Sequence, residues 1–203
     1  MSITYPLSLP TSPGARALKM IELNLVGSTI GEFDMQEQVQ EWAGERFEAT
    51  ITLPAMTRAQ AAVWCAMLSA LRGILGTFLL PVYACRNPQG TATSATVNGA
   101  HAAGAKVLNV TMTGTLKAGD YLQITEQSGS PLVNYARLHK VLNDQSGSGA
   151  LDIWPRLRGA LTGSEAITLV NPMGTFRLAD NKRSWDIDEA QLIGISFNAR
   201  EAL

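Results

Sequence analysis

Few side chains in these 203 residues stand in an arrangement that does chemistry. There are two histidines, His101 and His139. His101 lies in an Ala/Gly-rich stretch, and His139 sits between Leu138 and Lys140. Neither has a sequence neighbour that completes a catalytic motif, and there is no HExxH, GxSxG or Walker pattern. Asp186, Asp188 and Glu189 lie close together, as a divalent-cation site would require. A calcium loop also needs a glycine bend and several more oxygen ligands, so the three acids read as a solvated strand end. Trp154 offers a different chemistry. It is followed by Pro155, Arg156 and Arg158, and an aromatic beside arginines can stack on a sugar ring or a base. A tryptophan inside Leu-Asp-Ile-Trp-Pro is more often a core residue. Trp154 and Tyr121 are therefore the candidate glycan or partner contacts. Gln36, Gln38 and Gln40 have two readings: solvent exposure, or polar pairing across a subunit boundary without the desolvation cost of charges. No catalytic, metal or cofactor set is expected, and the chain reads as non-enzymatic.

Composition narrows the partners. Net charge is −1, with 16% charged and 46% hydrophobic residues. The 16 basic residues are scattered, with no run longer than Lys182-Arg183. A phosphate-binding surface needs them clustered, so nucleic acid is not an expected ligand. Cys65 and Cys85 make no disulfide framework or metal pattern and fit a reducing cytosol. The first ten residues carry two prolines and no basic region, unlike a signal peptide. No apolar run approaches the ~20 residues of a membrane helix. Synthesis in a cytoplasm is expected.

The elements that must position these residues are mostly strands. Pro6, Pro10, Pro13 and Gly14 predict an extended arm, either disordered or laid across a neighbour. Ile21, Leu23 and Leu25 alternate with polar residues, a period of two. Gly27-Ser28 and Gly31 predict a turn. A second strand holds Phe33, Met35 and Val39, broken at Gly44, and a third holds Phe47, Ala49, Ile51 and Leu53, ended by Pro54. A helix over 57–72 follows. Thr57 and Gln60 form its capping box, and Ala61, Trp64, Cys65, Leu68 and Leu71 form its apolar stripe. Gly73 closes it in the left-handed conformation. Trp42 and Trp185 are expected in a core or in a subunit contact.

From Tyr83 the pattern changes to short strands joined by glycine turns, at 107–112, 121–124, 135–142, 151–154 and 167–170. With no helix among them, they suggest a small barrel or sandwich. At Gly174 the pattern of the N-terminal part returns, and Gly174-Thr-Phe-Arg-Leu178 echoes Gly76-Thr-Phe-Leu-Leu80. The division that follows places residues 1–83 and 173–203 in one β domain carrying the helix, with residues 84–172 inserted as a second. Insertion is cheap, because loop-closure entropy rises only about 0.6 kcal/mol per doubling of length.

Several segments, taken in order, resemble distal tail proteins of long-tailed (siphovirus-like) bacteriophages and prophages. They begin with Phe33-Asp-Met-Gln-Glu-Gln-Val-Gln-Glu-Trp-Ala-Gly-Glu-Arg-Phe-Glu-Ala-Thr-Ile-Thr-Leu-Pro-Ala-Met-Thr-Arg-Ala-Gln-Ala-Ala-Val-Trp64, then Leu71-Arg-Gly73 and Gly76-Thr-Phe-Leu-Leu80. In the middle stand Leu116-Lys-Ala-Gly-Asp-Tyr-Leu-Gln-Ile124 and Leu151-Asp-Ile-Trp-Pro-Arg-Leu-Arg158. Gly174-Thr-Phe-Arg-Leu178, Ser184-Trp185 and Ser196-Phe-Asn-Ala-Arg-Glu-Ala-Leu203 close the series. The resemblance implies a mainly β fold: a tail-tube-like β-sandwich or barrel domain with one packed helix, and an inserted, peripheral OB-like or galectin-like β-barrel. It implies a homo-oligomeric ring, usually a hexamer, at the virion's tail tip. That ring joins the tail-tube protein to the hub or baseplate and the receptor-binding proteins. The alternatives in view are a glycan-binding tail-tip module and a tail-tube subunit.

Overall fold

The computed structural model describes residues 3–128, 133–188 and 191–203. Its proline-rich arm is laid along the chain's own domain. β1 (Leu7–Ser8) pairs in parallel with β4 (Thr77–Pro81). The Tyr5 hydroxyl donates to Ala70 O at 2.7 Å, and Trp64 Nε1 donates to Pro13 O at 3.1 Å.

β2 (Ala17–Ile30) and β3 (Glu37–Thr52) form one long antiparallel hairpin, in place of the turn expected at 27–31 and the break expected at Gly44. The glycines serve another purpose. A Cβ on Gly27 would stand 2.7 Å from the Trp42 ring, and one on Gly44 would stand 2.8 Å from Leu25. Each glycine thus makes room for a large cross-strand neighbour, and a register shift between Leu23 and Leu25 absorbs the mismatch. The turn falls at residues 31–36. There Gly31 N donates to Gln36 O at 2.9 Å and Met35 N to Gly31 O at 3.0 Å. Phe33 and Met35 are turn residues, not strand residues.

The helix α1 (Arg58–Ala70) starts where Gln60 Oε1 accepts the Thr57 N–H at 3.1 Å. It ends at Ala70 with Leu71 as its C-cap, and the first left-handed residue is Arg72 (φ 51°), one position before the glycine expected to close it; Gly73 follows at φ 73°. Ala61, Trp64, Met67, Leu68 and Leu71 are buried, whereas Cys65 is half-buried at the stripe's edge. The face rests on Phe197 and its neighbours, with the Trp64 and Phe197 rings 6.4 Å apart.

The echoed Gly-Thr-Phe segments turn out to be partners. β13 (Met173–Leu178) runs antiparallel to β4, with Phe176 opposite Phe78 and Thr175 opposite Leu79. β14 (Trp185–Ile187) pairs with the start of β15 (Ile193–Glu201), which joins β13 to β3. The resulting seven-stranded sheet runs β1-β4-β13-β15-β3-β2, with β14 beside β15. Strands from both ends of the chain thus build one sheet around one core.

The strands between them close into a barrel. Its members are β5 (Ala95–Val97), β6 (Val107–Met112), β8 (Tyr121–Ser128), β9 (Val133–Val141), β11 (Gly149–Trp154) and β12 (Ala166–Thr168). A two-stranded accessory, β7 (Thr115–Leu116) with β10 (Gln145–Ser146), lies outside the closed ring of strands. Leu108, Val110, Met112, Leu122, Ile124, Leu151 and Ile153 alternate into a second core. β5 is not legible in the sequence, because three residues among Thr, Ser and Ala give almost no period. The fold is mainly β, with one α-helix among the described residues.

Candidate functional site: the domain junction and a projecting hairpin

The two cores meet on one face of β8 and β9. The β8–β9 register sets Tyr121 opposite Lys140 and Gln123 opposite Leu138. Leu138 belongs to the sheet's core even though its strand is a barrel strand. It fits there because position 174 is glycine, where an added Cβ would lie 3.1 Å from the Leu138 Cβ.

Both candidate contact residues sit at this junction. Trp154 stands edge-on to Phe47, with ring centroids 4.7 Å apart, and its Nε1 donates to Asn24 Oδ1 at 2.8 Å. Tyr121 lies 6.0 Å from the same Phe47 ring. The structure therefore brings Tyr121 and Trp154 together on one phenylalanine, wedged between barrel and hairpin. One side of Trp154 still lines an open cleft of about 490 Å³, with Asn24, Asn143 and Asp152 on its walls.

The arginines beside Trp154 clamp the same joint. Arg156 Nη2 lies 2.6 Å from Glu41 Oε1 and 2.9 Å from Glu45 Oε1. Arg156 N also donates to Glu45 Oε2 at 2.8 Å, and Arg158 Nη1 donates to Ala43 O at 2.6 Å. Burial pushes the Glu45 carboxyl up, but the Arg156 bonds outweigh it and hold it below the usual range. Lys106 pairs with Glu41 at 2.7 Å and Lys140 with Glu22 at 2.9 Å. These two pairs are more exposed, so each contributes about 0–1 kcal/mol.

Beneath the clamp lies a buried polar cluster. His139 Nε2 is 2.7 Å from Glu126 Oε1, and its Nδ1 is 2.8 Å from Pro155 O. Glu126 Oε2 accepts from Arg158 N at 2.7 Å and Gly159 N at 2.8 Å. Burial raises the Glu126 pKa, yet the bonds from His139 and the two amides together leave it lowered. Arg137 is fully buried, donates through Nη1 to Ala202 O, and lies 3.7 Å from Glu201 Oε1. Burial lowers the Arg137 pKa and raises that of Glu201. Both directions mean that the attraction across that gap does not offset the desolvation. The sequence shows no carboxylate neighbour for His139 because Glu126 is thirteen positions away. Only the strand register brings the two side by side.

The second feature projects away from the cores. Leu25, Val26, Ile30, Val39 and Trp42 are all exposed on the outer half of the hairpin. At its tip Phe33 is fully exposed (102%) and Met35 80% exposed. Gln38 and Gln40 stand on the Trp42 face, opposite Thr29 and Gly27. Trp185 and Ile187 on β14 are exposed too, so neither Trp42 nor Trp185 is a core residue.

Asp188 accepts from Leu192 N at 2.7 Å and closes a turn, while Asp186 is exposed. Glu189 lies outside the described residues. Among the described residues no three His, Cys, Asp or Glu side chains converge as a metal-binding group, and no helix is long and apolar enough to cross a membrane. Compared with known proteins, the chain matches no family model and no curated sequence.

Proposed function

We propose that the chain is a structural subunit of a phage tail that self-associates into a ring at the distal end of the tail tube and links the tube to the hub and receptor-binding parts. The observation that carries this reading is the hairpin. It extends past its own core and exposes large apolar side chains on both of its faces, Leu25 and Trp42 on one and Val26, Ile30 and Val39 on the other. Among the described residues β2 pairs only with β3, so it is a sheet edge. Such edges invite pairing with another chain, and a protein needs a reason to keep one. Identical copies meeting through unlike surfaces close into a ring when the rotation permits.

The architecture supports the same assignment. A helix-bearing sheet domain is read as tail-tube-like, and the inserted barrel as the peripheral module. The closed, six-stranded form of the insert supports the reading of a small peripheral β-barrel module. Native mass spectrometry of the purified protein tests the proposal. A discrete closed oligomer, six copies by the resemblance, is the expected result. Monomers at all concentrations would count against it, and indefinite filaments would favour a tail-tube subunit.

Glycan binding is the second reading, favoured by the cleft that Trp154 lines with Asn24, Asn143 and Asp152. Titration with host-surface polysaccharide tests it, with Trp154→Phe as the control that keeps the ring contact to Phe47. Binding that the variant loses would support a lectin role.

A further inference from the structure

We infer that the hairpin tip of one copy docks in the cleft at the opposite edge of the next copy's sheet, an assignment that rests on the ring reading above and names its contact. The tip is built to present a group. The two backbone bonds that close residues 31–36 fix its shape, and Met35 holds φ 55°, a left-handed conformation that a bulky residue adopts only where the surroundings impose it. The closed turn lifts Phe33 to the apex with Met35 and Ile30 beside it. Glu32, Asp34 and Glu37 flank these side chains, and residues 31–37 include no base. The tip is thus apolar with an acidic collar.

The cleft has the complementary character. It encloses about 690 Å³ between the N-terminal arm, β4 and the two crossings into the barrel, within the size range of pockets that hold a ligand or several side chains. Leu9, Pro10, Leu79, Tyr83, Val170 and Met173 give it apolar walls. Arg86 is the one charged side chain on its lining among the described residues, exposed and 5.6 Å over the Tyr83 ring. An acidic-collared aromatic therefore meets an apolar cleft with a cation at its rim.

The tip cannot reach its own chain's cleft. The cleft lies along the β1–β4 edge, and the hairpin is the other edge. Five strand intervals separate them, about 24 Å at the usual spacing. The tip also lies on the order of 35 Å beyond Glu48, where pairing with β15 ends. Opposite edges with unlike, matching surfaces make a heterologous contact, the kind that closes into rings.

Two lesions separate the contact from the ring. Phe33→Asp spoils the tip, and Arg86→Glu with Val170→Asp spoils the cleft. All three positions are exposed, so circular dichroism should report unchanged folding. Each variant alone should stay monomeric, with assembly weakened on the order of tenfold or more. Mixed one to one, a tip-defective and a cleft-defective copy retain a single good contact, so heterodimers and nothing larger should form. If the wild type closes into rings and both variants do too, the contact lies elsewhere and this inference fails while the ring reading stands. If the cleft-defective variant dimerises alone, tips pair with tips and the inference also fails. A monomeric wild type overturns both.

Discussion

Trp154→Ala tests whether the tryptophan is a wedge between the two bodies or a surface for ligands. The edge-on contact with Phe47 contributes about 0.5–1.5 kcal/mol beyond area burial. The bond to Asn24 contributes about 0.5–1.5 kcal/mol. Trp154 is half-buried, so roughly half of an aromatic's 150–250 Å² leaves water, about 2 kcal/mol at 25 cal/mol per Å². These contributions overlap, and a total of about 2–4 kcal/mol is expected. Urea unfolding followed by circular dichroism reads the effect. Trp154→Phe keeps the ring contact and should cost only about 1 kcal/mol, mainly the lost hydrogen bond. With the wedge gone, the barrel and sheet should also begin to unfold in separate transitions, each having its own core. Trp154→Ala costing less than about 0.5 kcal/mol, with one undivided transition, would refute the wedge.

Three further outcomes follow from the packing. Leu68→Ala should cost about 2–5 kcal/mol by opening a cavity beneath α1, read by the same unfolding experiment, and a near-neutral result would mean the helix does not seal the core. Gly174→Ala should destabilise by about 1–3 kcal/mol, because its Cβ would crowd Leu138 and Phe176; thermal melting should show the loss, and an unchanged melting temperature would mean the barrel is not seated through Leu138. Glu126 has its folded pKa lowered, so its contribution is present above the unfolded carboxyl value near 4.5 and disappears as pH falls toward the folded one. Stability measured across that window should therefore fall more steeply in the wild type than in Glu126→Gln, and equal slopes would place the acid sensitivity elsewhere.

Much of this fold is legible in the sequence because burial alternates with the strand period. Phe47, Ala49 and Ile51, or Leu108, Val110 and Met112, can face a core only as strands. The helix is legible from its cap and stripe together. The paired Gly-Thr-Phe segments are visible as an echo, though not as cross-strand partners. The hairpin is not legible as one element, because Gly27 and Gly44 look like breakers along a single dimension. Their reason lies across the strand, in Trp42 and Leu25. The junction is partly legible: Trp154, Arg156 and Arg158 stand out, but as a surface for ligands. Their partners Asn24, Glu41, Glu45 and Phe47 are more than a hundred residues away. No local pattern encodes such a pairing, and the same holds for His139 with Glu126.

We propose that copies of this chain meet one another at a tail tip. Electron-microscopic reconstruction of the tail tip, from particles whose genome encodes the chain, tests it most directly. A single ring of copies, joined through their hairpin-bearing sheets between tube and hub, is the predicted density. Its absence from purified particles, or copies standing apart with their hairpins bare, would overturn the proposal.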